Sequence, residues 1–267
     1  MEKRFLAPSE VAKATIISAE TKANLSITRL LILGVMAGIH IGFGAFAYIV
    51  VSQSLANIDV GLSKLLGASV FPAGLMLVIF TGSELFTGNN LMTMALASKK
   101  ITVKGLLKNW LTVYFGNFLG SILLAYILSR SELVNDNMLN FTLNLGKAKT
   151  SLTLQSAILR GMLCNILVVL GVWSATAAQD IGSRTLAIWF PIMLFVVSGY
   201  EHSIANMFFI PLGMFLGGEI TWAQCWFNNI IPVTLGNVIG GAIIVPAVYY
   251  YCYKRDVTVM KVIKVTK

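Results

Sequence analysis

Residues 198–207 read SGYEHSIANM, from Ser198 to Met207, and set Glu201 beside His202 inside an apolar run, Leu186 to Gly217, that holds no other charged residue. What such a pair is doing depends on the solvent around it. The 267-residue chain is 57% hydrophobic and 12% charged, with a mean hydropathy of +0.79. A soluble domain carries about 25% charged residues, so this chain lacks the polar groups to cover a water-facing surface. Runs of about 20 residues nearly free of charge recur along it, the length that crosses a bilayer. The composition therefore predicts an all-α integral membrane protein. The opening residues, MEKRFLAPSEVAKATIISAETKANLS, are too polar for a secretory signal peptide. Cys164, Cys225 and Cys252 lie in or near apolar stretches and are expected as buried thiols rather than a disulfide framework. The net charge of +9 sits at the edges of apolar runs, a placement that reads as topology and lipid contact rather than nucleic-acid binding.

Hydropathy predicts six spans: Leu30–Ser52, Leu66–Ala97, Leu106–Ser129, Leu152–Ala177, Leu186–Gly217 and Asn229–Tyr251. Before them, Pro8 to Ser26 places Val11, Ile16, Ile17 and Leu25 at helical spacing among charges, the pattern of an interfacial amphipathic helix. The expected organisation is an N-terminal cytoplasmic helix within residues 1–28, a channel domain over 29–252 and a basic cytoplasmic tail over 253–267. An even number of spans puts both termini on one side. That side carries fifteen of the twenty Lys and Arg, which assigns it to the cytoplasm.

The second and fifth runs are about 32 residues long, more than tilt readily absorbs. Each has a Gly/Ser/Asn-rich interruption, Phe80–Asn90 (FTGSELFTGNN) and Val197–Met207 (VSGYEHSIANM), so both are expected as helices broken into halves. The interruptions share a pattern: Gly82-Ser83-Glu84 precedes Asn89, and Gly199-Tyr200-Glu201 precedes Asn206, with seven residues from glycine to asparagine in each. The following spans repeat too, GNFLGS from Gly116 and GNVIGG from Gly236, at an offset of 120 residues against 117 for the breaks. Two halves of three spans each would enter the membrane in opposite senses. Paired broken helices in such inverted repeats point to a binding or permeation site.

Of the eleven Asp and Glu, Glu84 and Glu201 are the two that fall inside apolar spans, each as the glutamate of G-x-E. Acceptance of hydrogen bonds from backbone N–H groups exposed at the break is favoured over direct substrate contact, because two-fold repetition suggests scaffolding. His202 has no such mate, since Leu85 occupies the matching place. It reads either as a buried histidine satisfied by a backbone carbonyl or, favoured here, as a hydrogen-bonding or proton-exchanging group at the midplane. His40, in GIHIGFG, stands evenly between packing and pore lining.

SGYEHSIANMFFIP, GSELFTGNN, LCNILV and PVTLGNVIGG together resemble the signature segments of the formate/nitrite transporter family, and the resemblance covers essentially the whole chain. It implies an aquaporin-like protomer in a homopentamer with one pore per subunit, in a bacterial inner (plasma) membrane, with no cofactor and no bound metal. It places the family's central histidine at His202 and its pore threonine at Thr87. It also places a lysine before the fourth span at Lys149 and pore asparagines at Asn165 and Asn237, with apolar constrictions at Leu75, Leu85, Phe86, Val168 and Phe195. Lys149 would attract anions, and half-helix N-termini would favour an anion near the midplane. A weak-acid anion that takes up a proton there crosses as a neutral molecule and avoids desolvation of a charge. The substrate class is hydrosulfide, formate or nitrite, with overall similarity leaning toward the hydrosulfide branch.

Three other readings compete. An aquaporin-like channel for water or neutral solutes shares the broken-helix plan but would carry Asn-Pro-Ala at its breaks, which this chain lacks. A membrane metalloenzyme using Glu84, Glu201, His202 and His40 is disfavoured, because no H-E-x-x-H or H-x-x-x-H spacing occurs; the chain is not expected to be an enzyme. A purely structural scaffold would not need two charged helix breaks.

Overall fold

A computed structural model describes residues 5–253; residues 1–4 and the expected basic tail beyond Tyr253 lie outside the described residues. The order is α1 (Pro8–Asn24), α2 (Ile27–Ser52), α3 (Val60–Val70), α4 (Ala73–Thr81), α5 (Phe86–Asn89), α6 (Thr93–Ala97), α7 (Val103–Ser129), α8 (Asp136–Thr150), α9 (Leu154–Ala177), α10 (Ile181–Val197) and α11 (Ser203–Phe215). A last helix, α12, runs over Trp222–Tyr253 with π-helical turns at Cys225–Ile230 and Ile239–Ile244.

Five helical stretches among the described residues are long and apolar enough to cross a membrane: Ile27–Asn57, Val60–Thr81, Val103–Ser129, Leu154–Ala177 and Trp222–Tyr253. The fifth run, expected as a broken helix, is two shorter apolar helices, α10 and α11. Nearly every hydropathy-based start is displaced, and the caps give the reason. Ser26, Asp59, Thr102, Thr153 and Asp180 each accept from a backbone N–H three residues on, and Thr221 with Gln224 forms a capping box. Capping satisfies the orphan donors of the first turn, so a helix begins at its cap and not at its first apolar residue.

Close helix approach follows the glycines. On α2 and α7, a β-carbon at Gly38 or Gly120 would overlap the facing backbone at Asn117 or Val35. On α12 against α9, Gly236 and Gly240 likewise abut the carbonyls of Ile158 and Met162. The pairs Gly116/Gly120 and Gly236/Gly240, each G-x-x-x-G, therefore pack helices within the protomer. α1 buries Val11, Ala12, Ile16, Ala19 and Ala23 against α6, α7 and α9, while Ile17 stays 52% exposed; its apolar face meets protein. α8, which falls between the expected third and fourth spans, is a helix started by the Asn135 cap on Met138; polarity hid it from a hydropathy reading. Cys164 and Cys225 are buried, whereas Cys252 is exposed.

Both breaks are built alike. α4 and α10 end at Gly82 and Gly199, each with φ of +72°, a left-handed conformation that glycine adopts without steric penalty. Three residues without helical structure follow, the last of them (Leu85 or His202) extended, before the chain turns into α5 and α11. Extension frees backbone groups in the middle of the bundle: the Glu84 and Glu201 N–H groups donate to the carbonyls of Leu33 and Arg160, and one asparagine per break takes up a further N–H and two carbonyls. Asn117 Oδ1 accepts from Phe86 N–H at 2.9 Å while its Nδ2 donates to the carbonyls of Gly34 and Glu84. Asn237 does the same for Ser203 N–H at 2.9 Å and the carbonyls of Gly161 and Glu201.

The two glutamates do not accept from the break's backbone as expected, because these asparagines and the Leu33 and Arg160 carbonyls already hold its N–H groups. Glu84 takes Lys22 Nζ at 2.9 Å and Asn89 Nδ2 at 2.6 Å, and Asn89 also donates to Asn109. Glu201 takes Lys149 Nζ at 3.0 Å on both oxygens and Asn206 Nδ2 at 2.6 Å, and Asn206 also donates to Asn229. Asn109 and Asn229 in turn donate to the carbonyls of Lys22 and Lys149. α1 thus supplies to the first break what α8 supplies to the second. Lys149→Met strands Glu201, 6% exposed, without its counter-charge, so thermal unfolding in detergent is expected to show a loss of about 3–5 kcal/mol. Lys149→Met combined with Glu201→Met is expected to recover most of it, and no recovery would mean the pair does more than balance charge.

Candidate functional site

His202 occupies the residue before α11, extended at φ −110°, ψ 114°. Its Nδ1 accepts from Ala205 N–H at 3.2 Å and its Nε2 lies 2.8 Å from Thr87 Oγ1. An Nδ1 that accepts a backbone N–H carries no proton, so the ring is neutral and its single proton is on Nε2, donated to Thr87. The histidine is satisfied by a backbone donor and a hydroxyl, not by the backbone carbonyl considered from sequence. Leu85, its counterpart, is extended in the same way but caps nothing. With its oxygen accepting from the imidazole, the Thr87 hydroxyl retains a proton of its own to give. Both residues are buried, at 3% and 0% exposure.

Two cavities approach this pair from opposite ends. One, of about 360 Å³, is lined by Thr15, Lys22, Ser83, Glu84, Leu85 and Arg184, with Leu75 in its wall. The other, of about 280 Å³, is lined by Lys64, Phe71, Lys149, Arg160, Phe195 and His202. They share no lining residue; Thr87 lines neither but links His202 of one lining to its own neighbour Gly88 in the other, across the section between them. Phe71 and Phe195 meet edge to face with centroids 5.7 Å apart, and Phe195 lies 5.9 Å from the His202 ring. This narrow section therefore has apolar walls and two hydrogen-bonding groups, the combination that admits a neutral polar molecule more readily than an ion.

The expected site residues divide into groups. His202, Leu75, Leu85 and Phe195 face the cavities. Phe86 and Val168 line neither; Phe86 packs edge-on against Trp110 and Tyr114, and Val168 is 1% exposed in the core. Asn165 donates to the carbonyls of Thr87 and Asn237 and to Asn90 Oδ1, so Asn165 and Asn237 brace the backbone around the site. Lys149 reaches the site from the end of α8, where it is held by Glu201. His40 lines neither cavity and meets Ser83 Oγ at 3.3 Å. Glu84 and Glu201 sit in separate ion pairs at separate breaks. Phe71, Asn117, Asn109 and Lys22 were missed. Asn117 and Asn109 stand at the same 120-residue offset from Asn237 and Asn229 that the glycines show, and Lys22 stands 127 residues before Lys149.

Comparison with known proteins agrees with this architecture. The formate/nitrite transporter family matches over residues 9–251. A probable formate transporter of Methanothermobacter thermautotrophicus is 41% identical, over 96% of this chain and 100% of that protein. The formate channel BtFdhC of Bacillus thuringiensis is 37% identical over 96% and 99%. Formate channel FocA of Escherichia coli strain K12 is 32% identical over 94% and 96%. Among solved structures, a pentameric formate channel with formate bound superposes with a TM-score of 0.78 at 35% identity, over 85% of this chain and 97% of that one. An FNT family ion channel gives 0.84 at 28% identity, over 91% and 98%. With several helices apolar enough to cross a bilayer and a family match along nearly its whole length, the chain is a multi-pass membrane protein that belongs to the formate/nitrite transporter family.

Proposed function

We propose that the chain is a channel for small monovalent weak-acid anions, with formate first among them, and that the anion crosses the narrow section as its neutral acid. The observation that carries this reading is the His202–Thr87 hydrogen bond between two cavities closed off by Leu75 and Leu85 on one side and Phe71 and Phe195 on the other. Formate leads because the relatives reported above carry it in their names. The sequence-based lean toward hydrosulfide has no such support, and hydrosulfide and nitrite remain substrates to compare.

The hydrogen-bond pattern favours one of two sources of the proton. A neutral His202 that gave up its Nε2 proton would become an imidazolate in an apolar section, at prohibitive cost. The proton therefore comes from water in the cavity, and the residues act as hydrogen-bonding partners. The anion takes a proton at the mouth of the constriction, passes as an acid bonded to the Thr87 hydroxyl, and releases the proton on the far side. Chloride, the anion of a strong acid, has no such route. Asn165 and Asn237 fix the backbone beneath the site, and Glu84 and Glu201 hold the two breaks.

In this reading the six spans form two inverted halves of three, with the second and fifth broken. The matched contacts of Asn117 with Asn237, Glu84 with Glu201 and Lys22 with Lys149 support that arrangement. The likeness to a pentameric structure supports assembly as a homopentamer. The distribution of Lys and Arg supports cytoplasmic termini in an inner membrane.

Uptake into proteoliposomes tests the function. Formate, nitrite and hydrosulfide are expected to enter, faster as the pH outside is lowered, and chloride is not; water permeation without anion uptake would favour the aquaporin-like alternative. Thr87→Val leaves the His202 N–H without an acceptor and removes the second donor, so formate uptake is expected to fall about ten- to a hundredfold, the equivalent of about 1.4–2.8 kcal/mol. His202→Asn keeps both a capping oxygen and a donor and is expected to assemble and conduct with altered selectivity. His202→Leu loses both and is expected to lower stability by about 1 kcal/mol as well as uptake. Equal behaviour of the Asn and Leu variants would remove the hydrogen-bonding role.

A further inference from the structure

The lysine that the family resemblance singled out for attracting anions is neutralised in this fold. Lys149 Nζ lies 3.0 Å from both carboxylate oxygens of Glu201, and the two side chains are 11% and 6% exposed. A pair so close acts on a distant anion as a dipole, whose field falls away faster than that of a single charge. At the other end, Lys22 is cancelled by Glu84 at 2.9 Å. Each break has consumed its nearest cation.

Other cations line the same cavities. Lys64, entering from the first turns of α3, and Arg160, from α9, both line the 280 Å³ cavity and are exposed. Glu201 is the one acid among the described residues of that lining. Arg184, near the start of α10, lines the 360 Å³ cavity, where Glu84 is the one acid. Its Nη2 donates to the Ala178 carbonyl, which leaves its charge intact, and its Nε has no hydrogen-bond partner among the described residues. Neither Lys64, Arg160 nor Arg184 appears in an ion pair among the described residues. After pairing among the described residues, one cavity holds two positive charges without a counter-charge and the other holds one.

We propose that Lys64 and Arg160 at one mouth and Arg184 at the other are the residues that collect the anion, and that Lys22 and Lys149 serve to lock the broken helices. The proposal rests on the anion pathway described above. Two unit charges about 10 Å from a monovalent anion raise its local concentration about fourfold in water. The effect acts on encounter rather than on the crossing itself, and salt screens it, with a Debye length of about 30 Å at 0.01 M and about 3 Å at 1 M.

The test is the concentration dependence of formate uptake into proteoliposomes at low and high ionic strength. Reconstitution presents both mouths to the outside, so the informative protein is the triple variant Lys64→Gln, Arg160→Gln, Arg184→Gln. At about 0.01 M ionic strength its half-saturating formate concentration is expected to rise about two- to fourfold, about twofold where the outward mouth loses one charge and about fourfold where it loses two, with the change falling there more than on the maximal rate, and to converge on wild type at about 1 M. The charge-preserving set Lys64→Arg, Arg160→Lys, Arg184→Lys is expected to keep the wild-type half-saturation. In Lys149→Gln with Glu201→Gln, the salt dependence of half-saturation is expected to persist. An unchanged half-saturation in the triple variant at low salt, or a shift that salt does not abolish, overturns the proposal. So does loss of the salt dependence in the Lys149/Glu201 variant, which would return the collecting role to Lys149. A wild type that passes no anion at all overturns the pathway itself and is distinct from these outcomes.

Discussion

Opening a helix inside a membrane frees backbone donors and acceptors where no water can meet them, and the rest of this structure is arranged around that constraint. At each break one asparagine amide does most of the work, accepting the first N–H of the new half-helix and donating to two carbonyls. Its side chain has to reach across from the neighbouring helix, so that helix must come close. The glycines of α2 against α7, and of α9 against α12, permit the approach. A lysine, a glutamate and two further asparagines then hold each half-helix in place. None of this needs a substrate, and the same set occurs twice.

The proposed passage uses the departure from symmetry. Leu85 and His202 are both extended residues just before a half-helix. The leucine offers a wall, whereas the histidine caps its own helix through Nδ1 and presents Nε2–H to Thr87. Capping fixes the tautomer, and the tautomer fixes the direction of the hydrogen bond. A titrating histidine would be a different device; here the ring is held neutral by the backbone it stabilises.

Much of this was legible in the sequence. The two breaks, their glycines and the repeat offset follow from the length of the apolar runs and from G-x-E with asparagine seven residues after the glycine. Helix starts were misplaced because hydropathy ignores capping: Asp59 and Asp180 begin helices well before the first unbroken apolar stretch. α8 was missed because its buried face is only Met138, Thr142 and Gly146. Phe71 escaped notice because nothing in a run of apolar residues marks the one that faces a cavity. The partners of Glu84 and Glu201 were misjudged for a different reason. Lys22 and Lys149 precede them by 62 and 52 residues, and no local pattern links the two, although carrying the repeat back through Gly34 and Gly161 would have aligned the lysines.

The central claim is that the anion crosses as its neutral acid while His202 stays neutral. Its most direct test is to add formate to proteoliposomes that contain a pH-sensitive dye and a reporter of membrane potential. The account predicts acidification of the interior in step with formate entry and no sustained charge movement. Formate entry that shifts the potential without acidifying the interior would contradict it.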